Sequence, residues 1–259
     1  MTGTIRIERE GAIATVVLDR PDKLNALNKA MWRGLGEAMG ALSADEGLRC
    51  VVIRGAGTKA FSAGADIAEF ASVRVDSATA RAYGAVVDGA LAALRDCRHP
   101  TVALIRGACV GGGLEAAALC DLRIAGRSAR FGVPIKRLGL VMGYRELEGL
   151  VSLAGRAATL EILLEGRVFG AEEALAKGLV TRVVEDAAVE AETRATCARI
   201  AEGAPLVARW HKRFVNRLAA PAPLTDEALT EAYDCFDTED FRIGYRAFLE
   251  KRAPRFVGR

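Results

Sequence analysis

Three consecutive glycines, Gly111, Gly112 and Gly113, follow the apolar run 101–105 and lead into the stretch Leu114 to Leu119. Glycine lets the backbone turn sharply and approach a ligand, because no Cβ intervenes. The residues after them are strong helix formers, so Gly112 falls at a helix start. Unpaired N–H groups and the positive end of the helix dipole suit such a place to a developing oxyanion. Glu115, three residues on, shares the helical face of Gly112. A carboxylate among Ala116, Ala117, Ala118 and Leu119 faces burial, which raises its pKa toward a useful range for proton transfer. Together these residues could move a proton next to a carbonyl group.

A second segment, Phe61-Ser62-Ala63-Gly64-Ala65-Asp66-Ile67, follows the β-type run Cys50 to Arg54 and opens a helix that Asp66 is placed to cap. The elements that must position both segments alternate along the chain. Residues 5–10 and 13–18 alternate as paired strands across a Gly11-Ala12 turn, and Asn28 caps a helix running to about Ser43. Strand 50–54, an irregular stretch 68–77, helix 79–96, strand 101–105, helix 113–120 and strand 121–125 follow. His99-Pro100 ends the second of these helices. Beyond Leu147 the pattern is helical at 147–154, 157–164, 171–176 and 187–202, with a short strand at 180–184. Three further helices, 205–219, 225–236 and 238–251, come after Gly203-Ala204-Pro205, with Pro221 and Pro223 breaking between the first two. This alternation is that of an α/β fold.

Other chemistries find little support. The net charge of +3 is too small to argue for nucleic acid, and the basic tail Lys251, Arg252, Arg255, Arg259 reads as a solvated terminus or a contact to a nucleotide. Gly55-Ala-Gly57 after a strand mimics a dinucleotide fingerprint, yet no helix opens there. The two histidines, His99 and His211, are far apart, and the six cysteines form no CxxC pair. Neither a metal site nor a histidine-assisted nucleophile follows. Cys50, Cys109 and Cys120 lie in apolar runs, as buried free thiols of a reducing compartment do. With charges near the N-terminus and no 18-residue apolar run, the expected location is the cytoplasm, away from any membrane.

In order and spacing, the fragments Leu18-Asp-Arg-Pro21, Lys23-Leu-Asn-Ala-Leu27, FSAGADI at 61–67, GGGLEAAALCDLRIA at 111–125, Ala171 to Val180 and Ala247 to Arg252 resemble the crotonase (enoyl-CoA hydratase/isomerase) superfamily. The resemblance implies a crotonase-like spiral of ββα turns over residues 1–202 and a C-terminal helical region, 203–259, that builds a homotrimer or a dimer of trimers. It implies that the backbone N–H groups of Ala65 and Gly112 clamp the thioester oxygen of an acyl-CoA, with Glu115 as the acid/base. It places Ala63, Asp66, Ile67, Ala68 and Gly111 against the substrate beside those amides. Lys23, Leu24 and Ala26 match the loop that receives the CoA adenine and pantetheine. No metal or redox cofactor is implied, since CoA arrives as part of the substrate.

The chain departs from this pattern at one place. Hydratases of the superfamily carry a second glutamate directly after the residue matching Pro134, where this sequence has Ile135. The next loop, normally small and glycine-rich, reads Leu140-Val-Met-Gly-Tyr144-Arg-Glu146, and Lys136-Arg137 interrupts an apolar wall. Three reactions remain open: isomerisation with Glu115 alone, hydration with Tyr144 or Glu146 replacing the lost acid, and decarboxylation of a malonyl-type thioester. A homologue that binds acyl-CoA without turnover is a fourth possibility.

Overall fold

In the computed structural model, which describes residues 3–219 and 222–259, the two N-terminal segments pair antiparallel as β1 (Thr4–Glu10) and β2 (Ile13–Asp19). Met1, Thr2, Ala220 and Pro221 lie outside the described residues, Pro221 being one of the two expected helix breakers. Asn28 accepts a hydrogen bond from the Met31 N–H and so caps α1 (Lys29–Ala44), whose Met31, Trp32, Leu35, Met39 and Leu42 form one buried stripe.

Three turns of similar plan follow. In the first, β3 (Cys50–Gly55) and the short β4 (Ala60–Ser62) precede α2 (Phe70–Val73) and α3 (Ser77–Arg95). In the second, β5 (Thr101–Ile105) and β6 (Ala108–Val110) precede α4 (Gly112–Ala118); in the third, β7 (Leu122–Gly126) and β8 (Arg130–Gly132) precede α5 (Tyr144–Glu165). The chain then forms β9 (Phe169–Gly170), α6 (Ala171–Ala176), β10 (Arg182–Val184), α7 (Val189–Glu202), α8 (Pro205–Ala219), α9 (Asp226–Thr230) and α10 (Glu239–Leu249). The longer strands and the three-residue β10 build a six-stranded sheet in the order β1-β2-β3-β5-β7-β10, parallel except for β1–β2. The short ones build a second sheet, β4-β6-β8-β9, parallel except for β8–β9. The expected spiral of ββα turns is the observed architecture.

All five residues of β5 are buried, as a parallel strand covered on both faces requires. One face of the large sheet packs with α1, α3 and α4 into a core whose largest fully buried side chains include Trp32, Tyr83, Phe61 and Phe131. The other face meets α7 through Cys50, Val52, Val102, Leu104, Val189 and Cys197. All six cysteines are free, and only Cys235 is not buried.

The differences from the sequence reading have local causes. Strands β4, β6, β8 and β9 were not expected, because two or three residues carry no legible alternation. The stretch 68–77 holds the one-turn α2 in place of wholly irregular chain. Two helices expected at 147–154 and 157–164 are halves of α5, kinked where Gly155 takes φ 70° and ψ 175°. Residues 225–236 divide into α9 and a 3-10 segment, Glu231–Asp237.

The C-terminal helices are tied to the sheet by polar contacts. Arg49 donates to the carbonyls of Gly203 (3.1 Å) and Phe256 (2.6 Å). Lys212 of α8 donates to Asp121 (2.8 Å), whose carboxylate also accepts from the Thr101 N–H (2.7 Å). His99 is sealed in the interior, and its burial lowers the imidazole to about 4, so it is neutral at pH 7; His211 is exposed.

Candidate active site

The site begins where the short sheet meets the turn before α1. The residues Arg20 to Leu27 wrap against the 60–66 segment through Asn25, which is left-handed (φ 56°) and buried. Its side-chain amide donates to the carbonyls of Ala60 (2.8 Å) and Ala56 (3.0 Å), while its Oδ1 accepts from the Arg20 N–H (3.0 Å). The Ala63 N–H donates to the Leu24 carbonyl (3.0 Å). Arg20 also pairs with Asp66 at 2.6 Å with both side chains largely covered, and that hydrogen bond holds the Asp66 carboxyl below its ordinary range. Asp66 accepts from the Ala68 N–H (3.2 Å) and so caps the helical turn Ile67–Glu69, the role its sequence position suggested.

Leu27 forms a parallel bridge with Ala65. Its N–H donates to the Gly64 carbonyl (2.7 Å) and its carbonyl accepts from the Asp66 N–H (2.9 Å). In a parallel bridge of this kind the middle residue's own N–H points to the opposite side, which turns the Ala65 amide away from Leu27. Among the described residues it has no acceptor. Gly112 is the first residue of α4, so its N–H is one of the groups a helix leaves unpaired.

Close backbone approach brings these two amides together. A Cβ added to Gly64, whose φ is +98°, would lie 2.9 Å from the Val110 carbonyl and 3.3 Å from the Gly112 nitrogen. A Cβ on Gly112 would lie 2.9 Å from the Trp32 ring and 3.6 Å from the Ala65 nitrogen. Glycine at both positions is therefore a packing requirement. Ala65 and Gly112 line one cavity of about 320 Å³.

Glu115 opens into the same cavity, only 6% exposed, and among the described residues no hydrogen bond reaches its carboxyl. Its pKa is pushed up to about 8, chiefly by burial and further by the charge of Glu146, with Arg74 acting in the opposite direction. Glu146 also lines the cavity, and its carboxylate accepts from the Gly143 N–H at the start of α5. Ile135 stands on the wall with Pro134, so the position after Pro134 does face the site, with an apolar group.

Of the residues singled out from sequence, Ala63, Ala65, Ile67, Gly111, Gly112, Glu115, Ile135 and Glu146 share this cavity. Tyr144, which the sequence offered beside Glu146 as a replacement acid, is not part of the lining: at the first position of α5 its side chain is 95% exposed. Asp66 and Ala68 are not part of the lining, Ala68 being exposed to solvent, and Lys23, Leu24 and Ala26 lie on the anchored turn outside it. Sequence reasoning missed Trp32, Phe70, Arg74 and Val87, which reach the cavity from α1, α2 and α3 and the turn between α2 and α3. Their positions on helices far apart in sequence gave no signal, apart from the aromatic character of Trp32 and Phe70.

A mixed two-sheet spiral thus carries two free amides and a buried carboxyl on one cavity. Residues 8–259 match the family model for enoyl-CoA hydratase/isomerase, and the chain belongs to that family. A probable enoyl-CoA hydratase, echA8 of Mycobacterium tuberculosis, is 38% identical over 99% of this chain and 98% of its own. A short-chain-enoyl-CoA hydratase of Clostridium acetobutylicum is 33% identical over 95% of this chain and 94% of its own. The crystal structure of an enoyl-CoA hydratase/carnithine racemase from Magnetospirillum magneticum superposes with a TM-score of 0.97 at 53% identity, covering 99% of this chain and 96% of that one.

Proposed function

We propose that this chain is an acyl-CoA enzyme that stabilises a thioester enolate and hydrates or isomerises a 2- or 3-enoyl-CoA. The observation that carries the reading is the buried Glu115 carboxyl, its pKa pushed up to about 8, on the cavity lined by two unpaired amides. In this reading the N–H groups of Ala65 and Gly112 hold the thioester oxygen. Each donor aimed at the developing oxyanion contributes roughly 2.7–4 kcal/mol in the transition state. Glu115, protonated in part near neutral pH, gives or takes the proton at the carbon next to the carbonyl. A positioned acid or base of this kind contributes ~10²–10⁴-fold in rate.

Glu146 supplies the second carboxylate that Ile135 cannot. Its effect on the Glu115 pKa supports their facing one cavity. For hydration, one carboxylate activates water for attack at the β-carbon while the other delivers a proton to the α-carbon. The exposed turn at Lys23, Leu24 and Ala26, held rigidly by Asn25, receives the CoA moiety beside the cavity. Proton transfer to a clamped enolate requires no metal or redox group, and the cytoplasm supplies the substrate; no helix among the described residues is long and apolar enough to cross a membrane. The region 203–259 builds a homotrimer or a dimer of trimers, supported by exposed apolar side chains such as Leu218 (70%), Tyr233 (68%) and Phe248 (83%).

Turnover with crotonyl-CoA, a 3-enoyl-CoA and methylmalonyl-CoA tests the reaction. Conversion of either enoyl thioester supports the proposal. Reaction of methylmalonyl-CoA alone would make the protein a decarboxylase, and binding without turnover of any of them would refute an enzymatic role.

A further inference from the structure

The cavity wall contains a cation that proton chemistry at the thioester does not use. Arg74 follows α2, and its guanidinium lies 4.1 Å from the centre of the Tyr83 ring and 4.7 Å from that of Phe70. Cation–π contact with two rings holds the guanidinium in place. Tyr83 is fully buried, so Arg74 sits against the core. Its Nε is sealed from solvent without an acceptor. Among the described residues no carboxylate lies within salt-bridge distance of the group, and no carbonyl accepts from its side chain. The acids around the cavity are otherwise engaged or not paired with Arg74: Glu69 accepts from the Lys29 N–H (2.8 Å), Glu146 accepts from the Gly143 N–H, and Glu115 feels Arg74 only as a weaker, pKa-lowering charge. The terminal nitrogens have no partner among the described residues and, unlike Nε, are not sealed from solvent; Arg74 lines the cavity.

A partly buried guanidinium held rigid and left unpaired loses hydration that no protein group replaces. A bound carboxylate would replace it through a two-pronged, charge-assisted pair. Arg137, exposed and lining the same cavity, adds a second positive charge to its wall. From this geometry we propose that Arg74 is a specificity-determining residue that selects acyl groups bearing a carboxylate, so the preferred substrate is a short dicarboxylic enoyl thioester. The inference rests on the acyl-CoA reading above and names its substrate class.

The test uses saturated thioesters, so that binding is read apart from turnover. Calorimetric titration of the protein with glutaryl-CoA and with pentanoyl-CoA, alike in chain length, gives a ratio of affinities. The ratio is expected to favour glutaryl-CoA by about 10-fold or more, as a charged hydrogen-bonded pair would give. Arg74→Leu should lower that ratio about 10–100-fold, and Arg74→Lys should restore part of it. Equal affinity of the unaltered protein for the two thioesters overturns the inference, whether or not the variants fold. A ratio that Arg74→Leu leaves unchanged overturns it as well. If neither thioester binds, the acyl-CoA reading itself falls; if both bind equally, only the carboxylate selectivity falls.

Discussion

Replacing Glu115 by glutamine separates its cost to the fold from its service to the reaction. Folding moves the titration of this carboxyl from the ordinary 4.5 to about 8. The raised value means that the native state holds the proton more tightly than the unfolded chain. The ionised form is therefore penalised by folding: no penalty applies below pH ~4, it grows as pH rises through the window from about 4.5 to 8, and it is constant above. The full penalty is about 5 kcal/mol, and the portion present at pH 7 about 3 kcal/mol, against ~1 kcal/mol at pH 5. Glu115→Gln keeps the shape and removes the titration, so the variant should gain on the unaltered protein as pH rises. At ~2–4 °C per kcal/mol for a chain of this size, the difference in Tm should widen by roughly 10 °C between pH 5 and pH 9. Denaturant or thermal unfolding across that range, with both proteins in matched buffers and at one concentration, measures it. Turnover of an enoyl-CoA should fall ~10²-fold or more in the same variant while thioester binding stays close to that of the unaltered protein. A stability difference flat with pH would refute the burial argument, and undiminished turnover would move the acid/base elsewhere, with Glu146 the first candidate.

Glu146→Gln removes a negative charge that raises the Glu115 pKa, so the Glu115 limb of the pH–rate profile should move to lower pH, and hydration should slow ~10²-fold or more; an unmoved limb would separate the two carboxylates. Gly64→Ala forces a side chain into φ +98° and into contact with the Val110 carbonyl, next to the Gly112 nitrogen. It should cost about 1–3 kcal/mol of stability in denaturant unfolding and depress turnover more than thioester binding. Ile135→Glu in the Glu146→Gln background should recover part of the lost hydration, measured with crotonyl-CoA, because position 135 faces the cavity; no recovery would show that a carboxylate there cannot reach the substrate.

Much of the frame was legible from one-dimensional pattern. Alternation set β1 and β2, Asn28 marked the start of α1, and the length of the apolar runs at 50–54 and 101–105 set the central strands. The glycine cluster and Glu115 were legible because a carboxylate inside an alanine-rich helix is costly to bury unless it is paired or used in chemistry. The short strands β4, β6, β8 and β9 were not, since pairing rather than local preference makes them strands. Tyr144 and Glu146 were equal candidates by sequence, being two residues apart. On a helix that spacing turns side chains about 200° from one another. Helix α5 begins at Tyr144, leaving it 95% exposed while Glu146 lines the cavity.

The sequence by itself determined the family, the order of the longer strands and helices of the first half, and the single most telling carboxylate, because these depend on residue type and short-range spacing. Only the tertiary structure decided which groups share a cavity. The approach of Gly64 to Gly112, the charge of Glu146 acting on Glu115 and the stacking of Arg74 on Tyr83 join parts of the chain that no local rule connects. Distance and burial set the strength of each of these effects, and both exist only once the sheets and helices have packed.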